Sequence, residues 1–156
     1  MKTLVIGLGN PILTDDGIGI LTARAVAKAL PPASPVDVVE LSVGGLRLME
    51  SMVGYDRVVL IDAIKTGTGP PGQVYYIGTE SLPDTLNTAS AHDADMMTAL
   101  EIGRALGAPL PADDDIHIVV IEADEVLTFG DAPTPPVAAA LPTATRMVLD
   151  VLAELS

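Results

Sequence analysis

The stretch TLVIGLGNPILTDDGIGI, from Thr3 to Ile20, decides the architecture. Thr3-Leu4-Val5-Ile6 is a short apolar run that stops at Gly7, the pattern of a strand buried on both faces of a parallel sheet. A loop with Gly9, Asn10 and Pro11 follows, and Asp15-Asp16 then opens a helical stretch. Ile18, Leu21, Ala25, Val26, Ala29 and Leu30 fall near one face of that helix until Pro31-Pro32 stops it. Strand, loop and helix in this order open a β-α-β unit.

Outward from this stretch the alternation continues. Val36 to Leu41 reads as a second strand, and Val43-Gly44-Gly45 leads into a short helix carrying Leu46, Leu48, Met49 and Met52. Asp56 to Asp62, with Val58-Val59-Leu60-Ile61 inside it, reads as a third and central strand. Thr66 to Gly72 is turn chemistry and is too short for a crossover helix, so the next strand, Gln73 to Ile77, is expected to run antiparallel. After a polar loop through Ser90, Asp93 to Leu106 reads as a helix that Gly107 and Pro109 end. Ile116 to Ile121 is the last strand, Glu122 to Pro135 a long irregular loop, and Pro136 to Leu155 a final amphipathic helix. Pro142 inside that helix is expected to kink or restart it. With no repeat or linker, residues 1–156 read as a single α/β domain: a twisted, mostly parallel, five-stranded sheet with helices on both faces.

Composition narrows the function. Apolar residues make up 49% of the 156, enough for a real core, and aromatics only 3%. Eight Lys and Arg face 21 Asp and Glu, a formal net charge of -13, which argues against nucleic acid or anionic membrane as partner. The absence of cysteine excludes disulfides, thiolate zinc sites, Fe–S clusters and thiol nucleophiles. The apolar runs are too short to span a bilayer, and Gly7, Gly9, Asn10 and Pro11 interrupt the only leader-like segment. A cytoplasmic protein is expected.

In open α/β sheets, ligands bind outside the carboxyl ends of the strands. Three groups fall there: Asp15-Asp16 after the first strand, Asp62 at the end of the third, and His92 just before the third helix. Two carboxylates and an imidazole suit a divalent metal of borderline softness such as Zn or Ni, and equally general acid–base work on water. One of Asp15 and Asp16 can cap the first helix while the other points outward, and Asp16 is assigned to the site. Asp62, after a fully apolar run, must be paired or face a crevice. His117, within the last strand, reads as structural or solvent-facing. A dinucleotide site would use Gly7 and Gly9, with Glu40 on a ribose, but Ile12 stands at the third glycine position and two carboxylates would repel a pyrophosphate.

With these residues in place, the sequence resembles the [NiFe]-hydrogenase maturation endopeptidases. LVIGLGNPILTDDGIGI (Leu4 to Ile20) is similar to that family's N-terminal signature, VVLIDAI (Val58 to Ile64) to its central strand with a metal-binding aspartate, and SAHDADMMTAL (Ser90 to Leu100) to its histidine segment. VVIEADEVLTFGDAPTPPVAAALP resembles its late loop and final helix. The resemblance implies a phosphorylase/hydrolase-like fold and places the nickel-site ligands on Asp16, Asp62 and His92, which are also the implied catalytic residues. Many members carry Glu at the position of Asp16, and a Gly-Thr where this chain has Val43-Gly44-Gly45-Leu46. The implied activity is an endopeptidase, aspartic-type or metal-assisted. It removes the C-terminal extension of a nickel-loaded hydrogenase large-subunit precursor, with the substrate's nickel as the recognition feature. Zn or another divalent ion can substitute. The implied partner is that precursor, the enzyme is expected to be a monomer, and the loop from Glu122 to Pro135 is expected to grip the substrate tail. A non-catalytic nickel-binding accessory protein is the alternative.

Overall fold

The apolar runs pair into one sheet with strand order β2-β1-β3-β5-β4. The computed structural model describes residues 1–42, 44–81 and 96–156. The strands are β1 (Thr3–Leu8), β2 (Val36–Leu41), β3 (Arg57–Ile64), β4 (Val74–Ile77) and β5 (Ile116–Glu122). The helices among the described residues are α1 (Ile18–Ala29), α2 (Gly45–Met52), α3 (Met96–Ala105), α4 (Pro135–Ala139) and α5 (Leu141–Leu155). The β1, β2, β3 and β5 strands run parallel, and β4 is antiparallel to β5, as the short turn before it requires.

Alternate residues of the central strands feed two cores. Val5, Val59, Ile61, Val119 and Ile121 pack on one face with residues of α1 and α5; Leu4, Ile6, Leu60, Ile118 and Val120 pack on the other with residues of α2 and α3. From β1 the chain moves outward to β2 and then returns past β1 to β3. The order therefore reverses between β1 and β3, the switch point at whose carboxyl ends open α/β sheets bind ligands.

The strand ends differ from the sequence reading. β1 continues through Gly7 to Leu8, because both residues pair with β2 and Leu8 is buried. β3 runs two residues past Asp62 to Ile64, where Ala63 and Ile64 pair with Ile121 and Glu122. Asp62 is thus inside the ladder rather than its last residue. Asp15 and Asp16 lie in a separate 3-10 turn, Thr14–Gly17, and α1 starts only at Ile18. At the C-terminus Ala140 separates α4 from α5, and Pro142 occupies the first turn of the restarted helix, where its missing N–H costs nothing.

Candidate functional site

The turn carrying Asp16 packs against β3, the strand carrying Asp62. Two glycines make this approach possible. A Cβ on Gly19 would stand 2.5 Å from the Leu8 carbonyl oxygen and 2.6 Å from that of Ile61, so the start of α1 rests directly on the ends of β1 and β3. Gly9, at φ +148°, lies so close to the turn that its Cβ would stand 2.0 Å from the Asp16 carbonyl oxygen. That contact is why Gly9 is glycine, and a phosphate is not needed to explain it.

Both carboxylates near the switch point are withdrawn from solvent. Asp16 is 5% exposed, and its Oδ2 accepts a hydrogen bond of 2.8 Å from the Asn10 N–H. Asp62 is 1% exposed, and its Oδ1 accepts one of 2.8 Å from the Ala63 N–H. Asp62 pairs with Val120 across the ladder and shares its sheet face with Leu60 and Ile64. A main-chain donor thus fixes one oxygen of each carboxylate without neutralising its charge. Two oriented oxygen donors of this kind suit a divalent cation, or a water that must lose a proton.

Asp15 does different work from its neighbour. It is fully buried, and its side chain caps no helix. Its Oδ2 accepts from the N–H groups of Asp124 (2.8 Å) and Glu125 (2.9 Å), and its Oδ1 from the Thr134 N–H (2.7 Å). The Thr134 hydroxyl donates to the same carboxylate. The expectation that one aspartate of the pair caps the helix is therefore corrected: Asp15 staples both ends of the segment between β5 and α4 to the turn that carries Asp16.

A further buried acid was missed by the sequence reading. Glu122, the last residue of β5, is 1% exposed. Its carboxylate accepts hydrogen bonds from the Thr66 N–H at 2.8 Å and from the Thr66 hydroxyl. The Tyr75 hydroxyl reaches it more distantly, at 3.4 Å. Loss of water around that hydroxyl, and then the Glu122 charge beside it, push the Tyr75 pKa above the ordinary phenol value. Glu122 binds the segment after β3 to the carboxyl end of β5, with its side chain on the sheet face that also carries Asp62. The signal was available: an acid directly after an apolar run, here Ile118 to Ile121, is the pattern that singled out Asp62.

His92 lies outside the described residues, as does Val43 of the glycine-rich segment. Among the described residues no three metal-ligating side chains converge. His117 behaves as expected of a structural residue: it is half-buried, its Nδ1 bonds the Tyr76 hydroxyl, and the two rings meet edge to face at 5.9 Å. No helix among the described residues is long and apolar enough to cross a membrane.

Comparison with known proteins identifies the family. Residues 20–151 match the family model of the hydrogenase maturation proteases. The hydrogenase 2 maturation protease of Escherichia coli is 30% identical over 104 residues, covering 64% of this chain and 63% of that protein. The structure of the hydrogenase maturating endopeptidase HybD from E. coli superposes with a TM-score of 0.83 at 28% identity, covering 100% of this chain and 94% of the other. The [NiFe] hydrogenase maturation protease HybD from Thermococcus kodakarensis superposes with a TM-score of 0.73, also at 28% identity, over 97% and 99% of the two chains. The matched residues and the shared fold lead to one assignment: the chain belongs to the hydrogenase maturation protease family.

Proposed function

We propose that this protein is a cytoplasmic endopeptidase that removes the C-terminal extension of a nickel-loaded [NiFe]-hydrogenase large-subunit precursor. The observation that carries the reading is the pair of buried, main-chain-oriented carboxylates, Asp16 and Asp62, at the switch point between β1 and β3. Membership of the protease family supports the same reading.

In this proposal the nickel belongs to the substrate, and Asp16, Asp62 and His92 reach it when the precursor docks. Two carboxylates and one imidazole leave coordination positions open, as a site that must release its metal requires. Held by Asp16, Asp62 and His92, a nickel ion brought by the substrate would supply Lewis-acid chemistry, polarising the scissile carbonyl or lowering the pKa of a bound water. Hydrolysis then adds water across the peptide bond. One buried carboxylate accepts a proton from the attacking water, and the leaving amine takes up a proton as the C–N bond breaks.

The test is a cleavage assay. The protein is mixed with nickel-loaded and nickel-free precursor from its own source, and loss of the extension is followed by mass. Cleavage of the loaded form alone is the expected result. Docking of the correct precursor with no cleavage of either form would replace the proposal with a non-catalytic nickel-binding accessory protein.

A further inference from the structure

Phe129 is the single phenylalanine of a chain without tryptophan, and it is 82% exposed. Leu127 is 83% exposed, and Ile12 54%. Scattered exposed apolar residues are ordinary, but apolar residues gathered on adjoining segments mark a surface that meets another molecule. These segments are joined. The Ile12 carbonyl accepts from the Gly130 N–H at 2.9 Å, the Thr14 N–H donates to the Gly130 carbonyl at 3.1 Å, and Leu13 and Gly130 form a parallel bridge.

The presentation is held from beneath. Thr128, between the two exposed residues, turns to Thr14, whose hydroxyl donates to the Thr128 carbonyl at 2.6 Å. Thr14 sits at φ +40°, which a β-branched residue adopts only where its surroundings impose it. Asp15 anchors the segment at residues 124, 125 and 134, and the Leu127 N–H donates to Glu125 Oε1 at 2.8 Å. An ordinary mobile connection has no such frame.

The charge around the patch says what it meets. Between Arg104 and Arg146 the sequence has no Lys or Arg, while Asp124, Glu125 and Asp131 flank the exposed pair. We propose that Ile12, Leu127 and Phe129 dock the precursor's own segment beside the scissile bond: an apolar stretch flanked by basic residues. This rests on the peptidase reading above. Continuity with the site supports it, because the patch hangs from the turn that carries Asp16. The surface binds and positions, and it takes no part in bond breaking.

The experiment compares the full-length protein with its Leu127→Ser/Phe129→Ser double variant on nickel-loaded precursor. Both residues are exposed, so the variant should melt like the parent. The expected result is a KM raised about tenfold or more with kcat within about twofold, and partial rescue by Phe129→Tyr. An unchanged KM, or a loss confined to kcat, would overturn the proposal. A binding measurement in the Asp16→Asn background separates this idea from the peptidase reading. If the parent cleaves nothing but the double variant still weakens precursor binding, docking stands and the peptidase reading falls. If binding is unaffected, docking falls. A parent that sediments as a dimer, with a monomeric double variant, would assign the patch to a second copy of the chain and likewise overturn it.

Discussion

The two edges of the sheet treat the same side chains in opposite ways. At the amino edge, acids are exposed and meet side chains or a chain-end amide: Asp37 accepts from the Tyr55 hydroxyl at 2.7 Å, Asp56 from the Lys2 N–H at 2.8 Å, and Asp113 pairs with Arg104 at 2.9 Å. At the carboxyl edge, Asp15, Asp16, Asp62 and Glu122 are all 5% exposed or less. There the main chain supplies donors to each: Asp124, Glu125 and Thr134 for Asp15, Asn10 for Asp16, Ala63 for Asp62 and Thr66 for Glu122. A neutral N–H steadies a carboxylate but leaves its charge in place. The amino edge spends its acids on solubility and weak ion pairs. The carboxyl edge withdraws its acids from bulk water and holds them in place with main-chain donors.

The contrast can be broken most directly at the carboxyl edge. Asp16→Asn or Asp62→Asn removes one charge with little change of shape, and each is expected to slow precursor cleavage about a hundredfold or more. Single-turnover cleavage with a parallel melting curve checks this. A variant that melts and cleaves like the parent would remove that carboxylate from the site.

Asp15 should behave differently from its neighbour. Asp15→Ala removes the buried acceptor shared by the part-buried N–H groups of Asp124, Glu125 and Thr134, and is expected to destabilise the protein by about 3 kcal/mol. Urea unfolding measures this. Asp113→Asn at the amino edge is the control and should cost about 0.5 kcal/mol or less. Equal losses at the two positions would erase the distinction between the edges.

The smallest effect belongs to His117, near the amino edge. Burial pulls its pKa below the usual 6.5; Asp115 works against this and Arg57 adds to it. The folded state therefore prefers neutral imidazole, and the unfolded chain takes up the proton first as pH falls. The associated stability is complete above pH 6.5, drains away just below it, and is gone below the folded pKa. His117→Gln should flatten the stability curve between about pH 7 and 5 relative to the parent. Parallel curves would show that folding does not perturb this imidazole.

Much of this was legible in the chain itself. The apolar runs announced every strand, the short turn before Val74 announced the antiparallel one, and Pro142 announced a helix restart. Strand ends were less legible, because they are set by the partner. Ala63-Ile64 belongs to β3 only because Ile121 and Glu122 lie opposite. Asp62 and Asp16 stood out by position, but the job of Asp15 did not, since its partners lie 109 to 119 residues away. Nothing local separates two adjacent aspartates when the deciding donors come from the other end of the molecule. Glu122 was readable in principle and passed over, because it was assigned to the loop instead of the strand it closes.

The staple at Asp15 also bears on how this surface can change. It grips amide hydrogens at positions 124 and 125, which every residue but proline supplies. Side chains at 124, and at 127 and 129 between the anchors, can be exchanged while the frame that presents them keeps its shape; Glu125, whose carboxylate accepts from the Leu127 N–H, belongs to the frame. On the docking proposal, exchanging Leu127 and Phe129 would retarget the surface to a different client while Asp16 and Asp62 stay as they are.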